Sequence, residues 1–179
     1  MIPMVILVLV IGSALFYLTT GIMPAMPEAV AAAKSNDQQE VIIDGNITFN
    51  PKGKSVDTGI IIYPGAKVDP LAYAPTAKAL AERGIKAVIV KMPFHMAILG
   101  GNKAGAVIAG DPSIKKWYIA GHSLGGVMAA KYAKDNQDKI TGLILWASYP
   151  MASSDLSDSS LSVLSIYGTN DGLVLPGKI

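Results

Sequence analysis

Short apolar segments alternate with stretches of helical periodicity along most of the chain. Seven predicted strands share a run of mostly apolar residues and lie at positions 40–43, 46–49, 59–63, 86–91, 117–120, 143–146 and 161–166. Helical periodicity extends over positions 70–83, 102–109 and 127–134. Fully apolar runs such as 59–63 are typical of strands buried on both faces of a parallel sheet. The alternation therefore predicts an α/β fold, a three-layer α/β/α sandwich around a mostly parallel sheet.

The N-terminal segment has a different pattern, because the first 27 residues carry no charged side chain and most of them are apolar. About 20 apolar residues span a bilayer, so we expect a membrane helix or uncleaved signal anchor over residues 1–23, with a lipid bilayer as partner. A cleaved signal peptide is the alternative, with the alanines at 31–33 as a cleavage region. Residues 24–39 are small and polar and predict a linker. Residues 40–179 are then the folded domain, which we expect outside the cytoplasm.

The charge balance is nearly even, with 15 basic and 13 acidic residues in a chain of 179. No basic block is present, so nucleic acid is not expected as a partner. The absence of cysteine excludes disulfides, cysteine nucleophiles and thiolate metal sites. Two isolated histidines do not make a metal-ligand cluster, and no cofactor is expected.

A G-x-S-x-G motif occupies residues 121–125, between the apolar run 117–120 and the helical stretch 127–134. A strand, a sharp turn at the serine and a helix are the context in which this motif presents a nucleophile. Glycines at the flanking positions avoid collisions in such a turn. The Ser123 hydroxyl then lies at the carboxyl edge of the sheet, near the positive end of a helix. The alternative is an ordinary glycine-rich turn in which Ser123 only caps the helix.

Four stretches of the sequence, taken together, resemble the conserved motifs of a known protein family. They are 63–70 (YPGAKVDP), 121–126 (GHSLGG), 142–150 (GLILWASYP) and 166–172 (IYGTNDG). Together they resemble the α/β-hydrolase superfamily and, within it, the bacterial group called alpha/beta hydrolase fold-5, which is related to dienelactone hydrolases. The resemblance implies a carboxylesterase-like serine hydrolase that attacks a small-molecule ester or related carbonyl through an acyl-enzyme. It also implies a catalytic triad in the order serine, acid, histidine.

By this resemblance the catalytic acid follows the seventh strand, where Asp171 lies. A carboxylate there fixes the tautomer of the histidine and stabilises the imidazolium. The alternative is that residues 168–172 form only a turn, because Asn, Asp and Gly favour turns. Asp155 and Asp158, in the preceding loop, are weaker candidates for the acid.

The oxyanion hole requires two backbone donors directed at the developing charge. One is expected to be the N–H of Leu124, the residue after the nucleophile. The other is expected from the loop after the third strand, where Pro64 has no N–H and Gly65 allows close approach. Ala66 is the predicted donor, and Lys67 is the alternative.

The sequence contains two histidines, and neither follows Asp171. His122 adjoins the nucleophile, and because adjacent strand residues point to opposite faces, we predict it to be a packing residue. His95 follows the fourth strand and is predicted to line the pocket or lie at the surface. Its place in the triad order makes it a poor substitute for the base.

The resemblance places the triad histidine after an eighth strand, whereas eight residues follow Asp171. We therefore expect a C-terminally truncated hydrolase that lacks the last helix, strand and base, with residues 161–166 at an open sheet edge. Because serine activation needs an adjacent base, the activity of this chain is expected to be impaired. The alternative is a catalytically inactive, membrane-tethered binding protein with a hydrolase fold.

Overall fold

The computed structural model describes residues 2–53 and 55–171. The strands are β1 (Gln39–Asp44), β2 (Asn46–Pro51), β3 (Thr58–Tyr63), β4 (Lys86–Ile89), β5 (Lys116–His122), β6 (Gly142–Trp146) and β7 (Ser162–Ile166). Within the described ranges these seven strands form one sheet in the order β1-β2-β4-β3-β5-β6-β7. The pairs β1–β2 and β2–β4 are antiparallel, and every other pair is parallel. The prediction of a mostly parallel sheet is confirmed.

The described helices are α1 (Ile2–Thr19), α2 (Pro27–Ala32), α3 (Ala74–Glu82), α4 (Ala104–Gly110) and α5 (Leu124–Asp135). Helix α3 covers one face of the sheet, and α4 and α5 cover the other. Residues of α3 share one apolar cluster with Ile60 and Ile62 of β3. Residues of α4 and α5 share the other cluster with Ile61 and Tyr63. Because adjacent strand residues point to opposite faces, β3 contributes to both clusters, and the layers are those of the predicted α/β/α sandwich.

The helix predicted over 70–83 is divided into a 3₁₀ turn at Pro70–Tyr73 and helix α3. The Asp69 carboxylate accepts a hydrogen bond from the Leu71 N–H at 2.9 Å and thereby caps the start of the turn. The turn places Tyr73, which is 9% exposed, beside the carboxyl ends of the central strands. Tyr73 thus becomes a neighbour of the nucleophile motif.

The predicted membrane span over residues 1–23 is not supported. In the part of the chain that the structure describes, we find no helix long and apolar enough to cross a membrane. The apolar run forms α1, but this helix ends at Thr19, where the Thr20 hydroxyl donates to the Phe16 carbonyl and Gly21 adopts a φ of 70°. Its 18 residues rise about 27 Å, against a hydrocarbon core of about 30 Å. The predicted lipid-bilayer partner depended on this span and is therefore not supported either. The location of the domain outside the cytoplasm stays a prediction.

The segment predicted as a linker, 24–39, contains helix α2, which the sequence did not indicate. Ala29 of this helix is buried, and Gln39 at the end of the segment is fully buried. The carboxamide oxygen of Asn36 accepts hydrogen bonds from two backbone N–H groups in the turn before β1, at 2.8 and 2.9 Å. The segment is therefore folded over much of its length, and the division of the chain into span, linker and domain stays a prediction.

Strand β7 lies at one end of the described sheet and pairs with β6 on its inner side. Val163 and Leu164 point to opposite faces of the sheet, and about half of each side chain is exposed. Both faces are thus open at β7 among the described residues. Residues 172–179, the last part of the predicted folded domain, lie outside the described residues.

Candidate active site

The serine motif forms a sharp turn between β5 and α5. Strand β5 ends at His122, α5 begins at Leu124, and Ser123 between them has a φ of 50° and a ψ of −124°. A non-glycine residue rarely adopts a positive φ, and such strain persists only where the surroundings enforce it. The structure therefore has the strand–turn–helix arrangement that the motif needs to present a nucleophile.

The glycines of the motif are required by close backbone packing. A Cβ atom at Gly121 would lie 2.4 Å from the carbonyl carbon of Gly125. A Cβ atom at Gly125 would lie 2.2 Å from the carbonyl oxygen of Tyr63 and 2.4 Å from that of Pro64. The start of α5 is thus packed directly against the end of β3 and the loop that follows it.

Hydrogen bonds on both sides hold the backbone of Ser123. Its N–H donates to the carbonyl oxygen of Trp146 at the end of β6, at 3.0 Å. Its own carbonyl oxygen accepts from the Ser148 hydroxyl at 2.8 Å and from the N–H groups of Gly126 and Val127 at 2.9 and 3.2 Å. Ser148 is 3% exposed, so the bond from its hydroxyl is shielded from water. These contacts enforce the positive φ and fix the position of the side chain.

A cavity of about 450 Å³ opens beside the turn. Its lining consists of His122, Ser123, Leu124, Val127, Ala147, Ser148, Tyr149 and Asp171. Three of the four predicted site residues, Ser123, Leu124 and Asp171, therefore meet at one cavity. The weaker acid candidates Asp155 and Asp158 are not among its described lining residues. The Asp155 carboxylate instead accepts hydrogen bonds from Ser157 in its own loop.

Ala66, the fourth predicted site residue, lies in the segment 64–67 after β3. We call this segment the oxyanion loop, after its predicted role. Ala66 is not among the described lining residues of the cavity. The N–H groups on either side of Ala66 are engaged. Gly65 donates to the Tyr73 hydroxyl at 2.8 Å, and Lys67 donates to the His95 carbonyl at 2.9 Å. The N–H of Ala66 has no hydrogen-bond partner among residues 2–53 and 55–171. The geometry thus leaves Ala66, rather than Lys67, with a free N–H in this loop.

His122 lines the cavity and contacts the oxyanion loop. Its Nδ1 atom lies 2.9 Å from the Tyr73 hydroxyl, and a Cβ atom at Gly65 would lie 2.7 Å from that nitrogen. Burial lowers the pKa of His122 below its ordinary value, and the Asp171 charge opposes this only in part. Burial also raises the pKa of the Tyr73 hydroxyl, against the effect of the hydrogen bond from Gly65. Both side chains are therefore neutral near pH 7.

The link between Tyr73 and His122 is a feature that sequence reasoning missed. The two residues are 49 positions apart, and no local pattern connects them. His122 was expected only to pack, and the ring does pack, at 6.0 Å between the ring centroids of the pair. The Tyr73 ring also stacks on Trp146, with centroids 6.4 Å apart and 3° between the planes.

His95 lies away from the serine cavity. It lines another cavity, of about 460 Å³, together with Phe94 and residues at the end of α1. Its Nδ1 atom is 3.3 Å from the Val68 carbonyl oxygen, and its φ is 55°. Within residues 2–53 and 55–171, neither histidine makes a hydrogen bond to the Ser123 hydroxyl. No group of three or more His, Asp or Glu residues in the same ranges is placed to hold a metal ion.

A model of the alpha/beta hydrolase family matches residues 59–179, which is more than half of the chain. The chain therefore belongs to the alpha/beta hydrolase family, and the fold described above is that expected of a member. The resemblance drawn from the four sequence stretches is confirmed for the superfamily and for the dienelactone-hydrolase-like group.

Solved structures share the fold at low sequence identity. A dienelactone hydrolase from Anabaena variabilis superposes with a TM-score of 0.60 at 13% identity, covering 75% of this chain and 76% of that one. A serine hydrolase homologue from Coxiella burnetii gives 0.55 at 24% identity, covering 80% and 79%. A hyperthermophilic esterase from Pyrobaculum calidifontis gives 0.51 at 17% identity, covering 69% and 48%.

The chain spans about half of the length, or less, of several hydrolases that it matches, the Pyrobaculum esterase among them. At these identities the likeness establishes the fold and not the substrate. No curated protein matches the chain in a sequence comparison.

Proposed function

We propose that the chain is a serine hydrolase that attacks an ester or related carbonyl through an acyl-enzyme on Ser123. The observation that carries the proposal is the strained turn at Ser123, which is held by hydrogen bonds from neighbouring segments and opens onto a cavity that Leu124 and Asp171 also line. A nucleophile, a backbone donor and an acid at one cavity are the parts that acyl transfer needs.

In the proposed reaction the Ser123 oxygen attacks the carbonyl carbon of the substrate and loses its proton to a base. The carbonyl π electrons move to the oxygen, which becomes the oxyanion of a tetrahedral intermediate. Collapse of the intermediate breaks the ester bond, and the alkoxide leaves with a proton as the alcohol. Water then attacks the acyl-enzyme, releases the carboxylic acid and restores the serine hydroxyl.

The oxyanion is stabilised by the N–H groups of Leu124 and Ala66. Leu124 is the first residue of α5, so its N–H is one of the helix donors without an intrahelical partner. The Ala66 N–H is free between two engaged neighbours in the oxyanion loop. Removal of one such donor costs serine hydrolases about 100-fold to 1,000-fold in rate.

Asp171 is the acid of the proposed site, placed after β7 at the rim of the cavity. Its charge acts on the His122 imidazole. Nδ1 of His122 lies within hydrogen-bond distance of the Tyr73 hydroxyl, and within the described residues neither histidine makes a hydrogen bond to the Ser123 hydroxyl. The base step is therefore served by water or by a base from solution, and we propose that turnover by this chain is slow.

Chemical rescue tests the proposal. Hydrolysis of 4-nitrophenyl acetate by the purified chain is measured with increasing imidazole, and the rate of the Ser123→Ala variant is subtracted at each concentration. We expect a slow Ser123-dependent rate that rises with imidazole, because imidazole replaces the missing base. A Ser153→Ala variant, which changes an exposed serine in the loop before β7, is expected to match the unchanged chain.

Intact-mass analysis after treatment with a fluorophosphonate supplies a second readout, with a single adduct expected on Ser123. Equal rates for the unchanged chain and Ser123→Ala at every imidazole concentration, with no adduct, would contradict the proposal. That result would favour the alternative of a hydrolase fold that binds a ligand without chemistry.

A further inference from the structure

We propose that Tyr73 and His122 are positioning residues that hold the oxyanion loop against the nucleophile turn, and so aim the Ala66 N–H at the oxyanion. The inference rests on the proposed function and adds the two side chains that organise its site. Neither residue is assigned a part in proton transfer to or from Ser123.

The Tyr73 hydroxyl connects the two backbone segments that form the site. It accepts the Gly65 N–H at 2.8 Å and lies 2.9 Å from Nδ1 of His122, the last residue of β5. Gly65 precedes Ala66, and His122 precedes Ser123. One phenol oxygen thus joins the residue before the predicted oxyanion donor to the residue before the nucleophile.

The direction of these hydrogen bonds follows from the protons available. A phenol carries one proton, and Gly65 can only donate through its backbone N–H. We assign the Tyr73 proton to Nδ1 of His122, which gives the phenol proton an acceptor and places the histidine proton on Nε2. Burial lowers the pKa of His122, which favours this neutral form. In this arrangement the Tyr73 hydroxyl accepts from Gly65 and donates to His122.

Packing fixes the phenol in this position. The Tyr73 ring stacks on Trp146, and the carbonyl oxygen of Trp146 accepts the Ser123 N–H at 3.0 Å. The Gly65 backbone is so close to the imidazole that a Cβ atom there would lie 2.7 Å from Nδ1. Tyr73 therefore contacts both Trp146, whose carbonyl accepts the Ser123 N–H, and His122, which precedes Ser123 in the chain.

Loss of the Tyr73 oxygen removes the acceptor of the Gly65 N–H. The other backbone hydrogen bond of the loop, from Lys67 to the His95 carbonyl, remains. The buried N–H then lacks an acceptor, which costs free energy that a shift of the loop can recover. A shift of the Gly65 peptide also turns the Ala66 N–H, and a misplacement of about 1 Å at a reacting centre can cost about 100-fold in rate. The expected loss therefore falls on the step in which the oxyanion forms.

Four variants test this role in the imidazole-rescued hydrolysis of 4-nitrophenyl acetate. Tyr73→Phe removes only the hydroxyl, and His122→Leu removes the acceptor. His122→Asn places an amide oxygen near the position of Nδ1 and restores an acceptor. Tyr132→Phe is the matched control, because the Tyr132 hydroxyl is buried and has no hydrogen-bond partner among the described residues. Each variant is first compared with the unchanged chain by circular dichroism and urea unfolding.

We expect Tyr73→Phe and His122→Leu to lower the Ser123-dependent kcat by about 10-fold to 100-fold, with KM within about twofold. His122→Asn is expected to recover most of the rate that His122→Leu loses, and Tyr132→Phe to keep the rate. A purely structural role would not give this separation of kcat from KM or the rescue by asparagine. A folded Tyr73→Phe variant with an unchanged kcat would overturn the inference and leave the proposed function intact.

Amide hydrogen exchange supplies a readout that does not depend on activity. The Gly65 amide is expected to exchange at least about tenfold faster in Tyr73→Phe than in the unchanged chain or in Tyr132→Phe. Equal Gly65 exchange in all three proteins would overturn the inference. A wild-type chain without any Ser123-dependent rate would instead overturn the proposed function, and with it the role of Ala66 that the inference serves.

Discussion

The Ser148 hydroxyl donates a hydrogen bond to the carbonyl oxygen of Ser123 at 2.8 Å, although 25 residues separate the two serines. Ser148 follows β6, so this bond connects the nucleophile turn to the loop after the neighbouring strand. It supports a backbone conformation that serine would not adopt alone, with a φ of 50°. The relationship makes Ser148 a stability determinant of the turn.

Replacing Ser148 with alanine is expected to lower the free energy of unfolding by about 1 kcal/mol, because the Ser123 carbonyl loses one of its donors, the hydroxyl of a buried serine. Urea unfolding followed by tryptophan fluorescence measures the change. Ser153→Ala, an exposed serine five positions along the same loop, is expected to stay within about 0.5 kcal/mol of the unchanged chain. Equal unfolding midpoints for the two variants would show that the hydrogen bond does not stabilise the turn.

Gly125 and Gly110 give a matched pair, because both lie in helices. Gly125→Ala would place a Cβ atom 2.2 Å from a backbone oxygen of Tyr63, whereas a Cβ atom at Gly110 would meet nothing within 4 Å among the described residues outside its own helix turn. We expect Gly125→Ala to lower the stability by more than about 3 kcal/mol or to prevent folding. Gly110→Ala is expected to be neutral or to raise stability by up to about 1 kcal/mol. Thermal unfolding of the two variants compares them, and a folded Gly125→Ala chain of normal stability would contradict the packing described.

Tyr63 and Tyr132 differ in the hydrogen bonds of their hydroxyls. The Tyr63 hydroxyl donates to the Gly101 carbonyl at 2.7 Å and accepts from the Ala104 N–H at 2.9 Å, and it joins β3 to the start of α4. Tyr63→Phe is expected to cost about 1–3 kcal/mol, since two buried backbone groups lose their partner. Tyr132→Phe removes an unpartnered hydroxyl, so it is expected to cost nothing measurable. Urea midpoints that move equally in the two variants would refute this difference.

The pKa of His122 implies a dependence of stability on pH. Burial lowers this pKa in the folded chain, whereas the unfolded chain takes up the proton near pH 6.5. Below pH 6.5 the unfolded state binds more protons at this residue, so stability falls as the pH falls towards the folded pKa, and it is full above pH 6.5. His122→Asn is expected to remove this part of the slope, which for one proton is at most about 1.4 kcal/mol per pH unit. Urea unfolding of both proteins at pH 5.5 and 7.5 measures it, and parallel profiles would contradict the assignment.

Much of the fold could be predicted from the sequence because its signals are local. The apolar run 59–63 indicated a strand buried on both faces, and β3 is that strand. The glycines at 121 and 125 indicated a tight strand-to-helix turn, and each is in contact with backbone that leaves no room for a Cβ atom. Ser123 was expected at the carboxyl edge of the sheet and Asp171 after the seventh strand, and the two residues line one cavity.

The errors and omissions have physical reasons as well. Hydropathy extended the predicted N-terminal span to residue 23, but the helix ends at Thr19, because hydroxyls bond to its last carbonyls and Gly21 takes a left-handed conformation. Helix α2 was missed because its six residues are too few for a periodic pattern. The bond between Tyr73 and His122 depends on tertiary packing, which single-sequence patterns do not contain.

The close approach of Gly65 to the His122 ring also restricts which amino acids position 65 can accept. A Cβ atom at 65 would lie 2.7 Å from Nδ1 of the imidazole. Mutational libraries that vary position 65 alone will therefore recover few working sequences, whereas joint variation opens combinations in which a smaller residue at 122 accommodates alanine at 65.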